Sequence, residues 1–208
     1  MPLFFQQAVD NDTRLAVWHI TEDEGFFDVP LQRSITHPHK RRQHLAGRYL
    51  LRFLCPGFPL DLIRIADTRK PFLEDEAYHF SVSHCGDYAA AIVSPERRVG
   101  IDIEIPTDKV ERIRHKFLSE GEEERLAPAK GLLGPVQLAT LLWSVKEAAF
   151  KWYGKGNVDF RDDMPVQELR PGAGGAYSVP VHFGKELQQP LHAQARLWDG
   201  LVLSYISQ

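Results

Sequence analysis

The chain has 208 residues, 43% of them hydrophobic and 25% charged, which is enough for one sizeable core or two small lobes of an ordinary globular protein. Its formal net charge of −3 argues against a nucleic-acid-coating protein. Two cysteines cannot form a disulfide framework, and no signal-peptide pattern or membrane-length apolar run is present, so we expect a cytoplasmic protein with no membrane segment.

A strand and a helix are predicted in the first part of the chain. The strand covers residues 14–20, and the helix begins near Pro38, because proline suits the first turn and apolar residues then recur about every four positions. A Cys-Pro-Gly sequence at 55–57 ends the helix. The helix also carries basic residues. Those predicted opposite the apolar stripe are Arg41, Arg48 and Arg52, and those predicted at its margins are Arg42 and His44.

Residues 78–94 are predicted to form a β-hairpin with a turn at 83–87. The following residues, 95–98, are polar and begin with proline, which is typical of a hinge. We therefore predict two lobes, residues 1–96 and residues 97–208.

A fourth strand is predicted over residues 99–105, where apolar residues alternate with Gly100, Asp102 and Glu104. The two carboxylates share one face of the strand. Acids on a solvent-facing side of a sheet are common, so this is one interpretation. The other is half of a metal site, because two adjacent carboxylates repel each other unless a cation such as Mg²⁺ compensates them.

The remaining chain is predicted to contain helices at about 108–117, 119–127 and 136–153, and then strands at Ala176–Phe183 and 193–207. On the long helix, Trp143, Glu147 and Lys151 fall on one line at intervals of four residues, separate from the apolar stripe. The pair Glu147 and Lys151 is open to two interpretations, a solvated surface ion pair or a third metal ligand followed by a phosphate-binding lysine.

Ser83 and His84 lie in the predicted hairpin turn, and Arg69-Lys70-Pro71 precedes the hairpin. The histidine is either a hydrogen-bonded turn residue or a ligand contact, since the adjacent Cys-Gly-Asp turn suits close approach of a ligand. Lys70 is placed where it can reach a phosphate.

Three sequence blocks together resemble the signature motifs of the 4′-phosphopantetheinyl transferases. They are Phe80-Ser-Val-Ser-His84-Cys-Gly-Asp-Tyr88, Gly100-Ile-Asp-Ile-Glu104 and Trp143-Ser-Val-Lys-Glu147-Ala-Ala-Phe-Lys151-Trp-Tyr-Gly-Lys-Gly156. They occur in the family's order, and the length indicates its larger, two-lobed (Sfp-like) class. The chain departs from the family at Arg69, where glycine is frequent before the Lys-Pro pair.

The resemblance implies an α+β fold of two similar lobes, each a small antiparallel sheet with packed helices, related by a pseudo-twofold with the active site in the cleft between them. It implies transfer of the 4′-phosphopantetheine arm of coenzyme A to a serine of an apo carrier protein, with release of 3′,5′-ADP. It also implies Mg²⁺, and we expect a monomer that binds neither nucleic acid nor membrane.

The resemblance also implies residue roles, with nucleotide and phosphate contacts in the first lobe and the metal and transfer chemistry in the second. Metal ligands would be Asp102, Glu104 and Glu147. Coenzyme A contacts would be Arg42, His44, Lys70, Ser83, His84 and Lys151. Glu147 and Lys151 would be catalytic, with a water as an alternative base to Glu147.

Two other functions are compatible with the same residues. A metal-dependent phosphodiesterase or nuclease would use the carboxylates to hydrolyse a nucleotide rather than to transfer a group. A coenzyme A-binding module would keep the scaffold without catalysis, although the presence of the acids and Lys151 argues against it.

Overall fold

The structure is a computed structural model that describes residues 2–186 and 188–208, and it confirms the predicted α+β class with antiparallel sheets. Its contacts divide the chain into two compact units, the first ending at Ile103 and including Ser207, the second containing Glu104–Ile206 and Gln208. This division lies beyond the hinge expected at residues 95–98. The lobes 1–96 and 97–208, and the pseudo-twofold, stay predictions.

The first unit contains one long helix and a four-stranded antiparallel sheet in the order β1-β2-β6-β5. Its elements, in chain order, are β1 (Leu3–Ala8), β2 (Arg14–His19), α1 (Pro38–Leu54), β3 (Arg64–Ile65), β4 (Pro71–Phe72), β5 (His79–Cys85), β6 (Tyr88–Ser94) and all but the last residue of β7 (Val99–Glu104). The predicted helix start at Pro38 is confirmed. Strand β1 was not predicted, and its alternating partly buried pattern is that of a sheet edge.

Helix α1 covers one face of this sheet because its apolar stripe meets the apolar residues of the strands. Leu45, Leu50 and Leu51 are buried in one cluster with Phe80 and Ala91. His44 of the helix thereby contacts His84 of β5.

Among its described residues, the second unit contains three α-helices and an antiparallel sheet whose strands run in the order β11-β10-β9-β8. Its elements are α2 (Asp108–Arg112), α3 (Glu120–Arg125), α4 (Pro135–Tyr153), β8 (Arg170–Pro171), β9 (Ala176–Phe183), β10 (Gln189–Trp198) and β11 (Leu201–Ser207). The single strand predicted at 193–207 is wrong. Gly200 adopts a φ of 76°, and this left-handed turn splits the segment into a hairpin.

Helix α4 is the central helix of the second unit, and its predicted buried stripe is confirmed. Leu138, Leu141, Val145 and Trp152 are all buried in the core of that unit. The helix ends at Gly154, whose left-handed φ of 75° suits a C-cap. Within the described part of the chain, none of the helices combines the length and apolar character needed to cross a bilayer.

Candidate active site

Ser83 and His84 lie inside strand β5 and not in a turn, so that part of the prediction is wrong. The β5–β6 ladder continues to the pair Cys85 and Tyr88, and only two residues are left for the turn. Gly86, with a φ of 54°, makes so tight a turn possible. Because successive side chains in a strand point to opposite faces, Ser83 and His84 are directed to different sides of the sheet.

On the serine side, β5 holds strand β7 by two side-chain hydrogen bonds. The Ser83 hydroxyl donates to Oδ1 of Asp102 at 2.9 Å, and the Ser81 hydroxyl accepts from the backbone N–H of Ile101 at 3.2 Å. Only 2% of Asp102 is exposed, so the solvent-facing interpretation is excluded for this carboxylate. Ser83 therefore fixes the orientation of a buried acid.

On the histidine side, His84 meets helix α1. The rings of His44 and His84 pack edge to face with centroids 5.0 Å apart. Lys40 and Arg48 lie one turn before and after His44 on α1, at the spacing that places side chains on one side of a helix. The structure thus places His44 beside His84 and near the charges of Lys40 and Arg48.

Arg48 is predicted opposite the apolar stripe of α1, and it is nevertheless buried. Its side chain is only 6% exposed, and its Nε donates to Oε1 of Gln32 at 3.1 Å. Burial, reinforced by the charge of Arg33, lowers the pKa of Arg48 to about 10. A guanidinium remains protonated at neutral pH even so, which makes Arg48 a buried positive charge beside the two histidines.

This positive environment also acts on His44. Burial is the largest cause that lowers the pKa of His44 to about 4, followed by the charges of His84, Arg33, Arg48 and Lys40. The imidazole is therefore neutral at physiological pH, and an anion bound among these groups would favour its protonation. Sequence reasoning missed Arg33, Lys40 and Arg48, although the spacing of residues 40, 44 and 48 is a helical signal that could have identified the last two.

Arg42 and Lys70, two other predicted contacts of coenzyme A, are less closely associated with His44 and His84. Arg42 is half-buried on α1 only two residues before His44, and side chains at that spacing do not face each other on a helix. Lys70 is partly buried before β4, and burial, with a smaller contribution from Arg98, lowers the pKa of its amine to about 8. Their roles in coenzyme A binding stay predictions.

In the second unit, Glu104 is held by the long helix. The indole Nε1 of Trp143 donates to Oε1 of Glu104 at 3.3 Å. Trp143, Glu147 and Lys151 are all half-buried, as expected for a line of side chains at the edge of the buried stripe of α4. A purely solvated surface pair is therefore a poor description of Glu147 and Lys151.

Lys146, one residue before Glu147, is completely buried. Its Nζ lies 2.6 Å from Oε1 of Glu122, itself 0% exposed, and donates to the carbonyl oxygens of Phe117 and Phe160, both at 2.7 Å. Burial lowers the pKa of Lys146, and the Glu122 carboxylate opposes that effect. No local sequence pattern indicates the burial of Glu122, and sequence reasoning missed it.

A preformed cage of three ligands is not found, since across residues 2–186 and 188–208 no three His, Cys, Asp or Glu side chains are grouped closely enough to hold a metal ion. Mg²⁺ usually binds to one or two carboxylates together with substrate phosphates and water. Asp102 and Glu104, two residues apart on β7 and so on one strand face, provide oxygen donors of that kind. Their donor chemistry fits Mg²⁺, and the assignment of Asp102, Glu104 and Glu147 as its ligands stays a prediction.

Curated relatives share roughly a third of their residues with the matched part of this chain. Enterobactin synthase component D of Escherichia coli (strain K12) is 34% identical over 128 residues, which cover 59% of this chain and 60% of the relative. The L-aminoadipate-semialdehyde dehydrogenase-phosphopantetheinyl transferase of Xenopus laevis is 30% identical over 130 residues, covering 54% and 43%. A 4′-phosphopantetheinyl transferase of Aneurinibacillus migulanus is 31% identical over 112 residues, covering 54% and 46%.

The matches span less than two thirds of the length of these relatives. The family model of the 4′-phosphopantetheinyl transferase superfamily matches residues 98–205, just over half of the chain. That segment contains β7 with its two acids and the whole of α4. This chain belongs to the 4′-phosphopantetheinyl transferase superfamily.

Proposed function

We propose that the protein transfers the 4′-phosphopantetheine arm of coenzyme A to a serine of an apo carrier protein and releases 3′,5′-ADP. The observation that carries this proposal is the support given to the two acids of β7. Asp102 accepts a hydrogen bond from Ser83, and Glu104 accepts one from Trp143. Both carboxylates are thus oriented on one strand within the segment that matches the superfamily.

Asp102, Glu104 and Glu147 are proposed to hold Mg²⁺. When bound, the ion would neutralise the pyrophosphate oxygens of coenzyme A and the charge that develops on them during transfer. Ser83 and Trp143 hold the first two carboxylates in place, so that little reorganisation is needed when the substrate binds.

The group of Lys40, His44, Arg48 and His84 in the first unit is proposed to bind the 3′-phosphorylated adenosine end of coenzyme A. Further contacts to coenzyme A are proposed for Arg42, Lys70 and Ser83. His44 and His84 form the centre of the group, and the buried Arg48 adds a charge that stays positive at all working pH values. Burial, followed by repulsion from the neighbouring cations, lowers the pKa of His44, and a phosphate placed there would offset the repulsion.

The transfer is a substitution at phosphorus. The carrier's serine oxygen forms a bond to the β-phosphorus, and the bond from that phosphorus to the bridging oxygen breaks, so that the oxygen leaves with 3′,5′-ADP. Glu147, or a water that it orients, takes the serine proton. Lys151 binds the phosphate on the pantetheine side and stabilises its charge, and no covalent enzyme intermediate is required.

The direct test is to incubate the protein with coenzyme A, Mg²⁺ and apo carriers of the fatty-acid, polyketide and peptide-synthetase types, and to weigh each carrier by mass spectrometry. We expect a mass gain of one phosphopantetheine and an equal amount of 3′,5′-ADP. Breakdown of coenzyme A without a carrier would instead indicate the phosphodiesterase function. Binding of coenzyme A with no product and no labelled carrier would indicate a binding module, and either result overturns the proposal.

The pH dependence of coenzyme A use tests the role of Lys70. Because its pKa is about 8, Lys70 loses its charge as the pH rises from 7 to 9.5, and a phosphate contact with it weakens. We expect kcat/KM for coenzyme A to fall about tenfold over this range, as for loss of one charge-assisted hydrogen bond. Lys70→Arg keeps its charge and should hold its own kcat/KM nearly constant over the range. An equally steep decline in Lys70→Arg would assign the effect to another group.

The choice of carrier, the larger two-lobed class, the monomeric state and the cytoplasmic location remain part of this proposal. Gel filtration of the protein alone would test the monomeric state. Gel filtration of its mixture with an apo carrier would test the choice of carrier.

A further inference from the structure

The buried pair Lys146 and Glu122 has no part in the chemistry proposed above, yet both side chains are fully buried and hydrogen-bonded. Glu122 Oε1 accepts from the backbone N–H of Val166 at 2.8 Å, and its Oε2 accepts from the N–H of Ser119 at 3.0 Å. With Lys146, this carboxylate joins helices α3 and α4 to the segment before β8.

Such a pair is weak evidence for a role in stability. Removing two charges from water is costly, and apolar residues of similar volume often replace a buried ion pair with no loss of stability. What the pair offers instead is a defined geometry, because each of its hydrogen bonds is satisfied only in one arrangement of the elements.

The two phenylalanines that are bonded to Lys146 also contact Trp143. The rings of Phe117 and Phe160 pack against the indole with centroids at 5.1 and 5.4 Å. The carbonyl oxygens of the same two phenylalanines accept the hydrogen bonds of Lys146. Trp143 and Lys146 are three residues apart on α4, so each phenylalanine is held twice by one turn of the helix, once through its backbone and once through its ring.

Trp143 in turn donates its indole N–H to Glu104. We propose that the Lys146–Glu122 pair is a positioning device for Glu104, which acts through Phe117 and Phe160 on the indole of Trp143. This inference rests on the proposed function only in so far as Glu104 is taken to bind Mg²⁺. Neither Lys146 nor Glu122 touches the substrate, and both are positioning residues.

The test separates positioning from stability with two variants. Lys146→Met leaves Glu122 buried without its cation and is expected to lower Tm by about 10 °C. The double variant Lys146→Met/Glu122→Gln removes both charges and should recover at least half of that loss. If the pair only stabilises the fold, the double variant should behave like the unmodified protein in every other respect.

The indole ¹H–¹⁵N resonance of Trp143, assigned by its disappearance in Trp143→Phe, is the first readout. We expect it to shift or broaden in the double variant, while the resonances of Trp18, Trp152 and Trp198 stay in place. The second readout is Mg²⁺ affinity, measured by titration of the metal alone and by the half-saturating Mg²⁺ in the transfer assay. Both should weaken by about tenfold, as for loss of a group that orients a ligand, with KM for coenzyme A changed less than twofold.

A matched control is the exposed pair Lys155 and Glu186, whose charged atoms are 2.9 Å apart at the end of the same helix. Lys155→Met/Glu186→Gln should change neither readout. A Trp143 resonance and a Mg²⁺ affinity unchanged in the Lys146→Met/Glu122→Gln variant would overturn the inference. Because the resonance and the metal titration need no carrier, a shifted resonance in a protein that shows no transfer would refute the proposed function and leave the positioning role standing.

Discussion

Asp102→Asn is expected to reduce phosphopantetheine transfer on the order of 10²–10³-fold while the protein stays folded. Asparagine has the same shape, and its carbonyl oxygen can still accept the hydrogen bond of Ser83, so packing of the buried position is retained. What is lost is the negative charge that a divalent cation requires. The rate is measured by mass of the carrier, and binding of coenzyme A and Tm are measured on the same sample.

A matched control for this substitution is Asp108→Asn, at an exposed carboxylate that begins helix α2. It should leave the rate within about twofold, as is usual for surface positions. Full activity of Asp102→Asn, with Mg²⁺ still required, would remove Asp102 from the ligand set and with it the central assignment of the proposed mechanism.

Lys151→Met is expected to lower kcat on the order of 10²-fold or more, with a smaller effect on binding of coenzyme A. Methionine keeps most of the side-chain length and apolar contact but removes the charge that would stabilise the transferring phosphate. Single-turnover rates and the KM for coenzyme A distinguish a loss in the transition state from a loss of binding.

Lys155→Met provides the comparison, because Lys155 follows the same helix and is exposed, with its amine paired to Glu186. We expect Lys155→Met to change kcat and the KM for coenzyme A little. If Lys151→Met raised only KM and left kcat intact, Lys151 would be a binding residue and its catalytic assignment would be wrong.

The reliability of the sequence-based predictions depended on the range over which each pattern acts. Helix α4 and the line Trp143, Glu147 and Lys151 were predicted well, because a helical period repeats over many residues of one element. The hairpin was also predicted, but its turn was placed too early. Ser83 and His84 were read as turn residues because polar side chains next to a glycine resemble a loop when the pairing strand is not known.

Charges were predicted least well. Most arginines and glutamates are exposed, and nothing nearby in the sequence indicates that Arg48 or Glu122 is buried. Arg48 is buried against Gln32, and Glu122 is buried against Lys146. In both cases the partner lies far away along the chain, so the periodicity of a single element carries no information about it.

The order of residues along one strand and one helix already specifies the available chemistry, because it sets the types and spacing of Asp102, Glu104, Glu147 and Lys151. The α+β class and the superfamily resemblance can likewise be read from the amino-acid sequence. The hydrogen bond from Ser83 to Asp102, the contact of His84 with α1 and the pairing of Lys146 with Glu122 appear only in the folded protein. A strand or helix pattern states which side chains share a face, whereas burial and hydrogen bonding depend on which distant element covers that face.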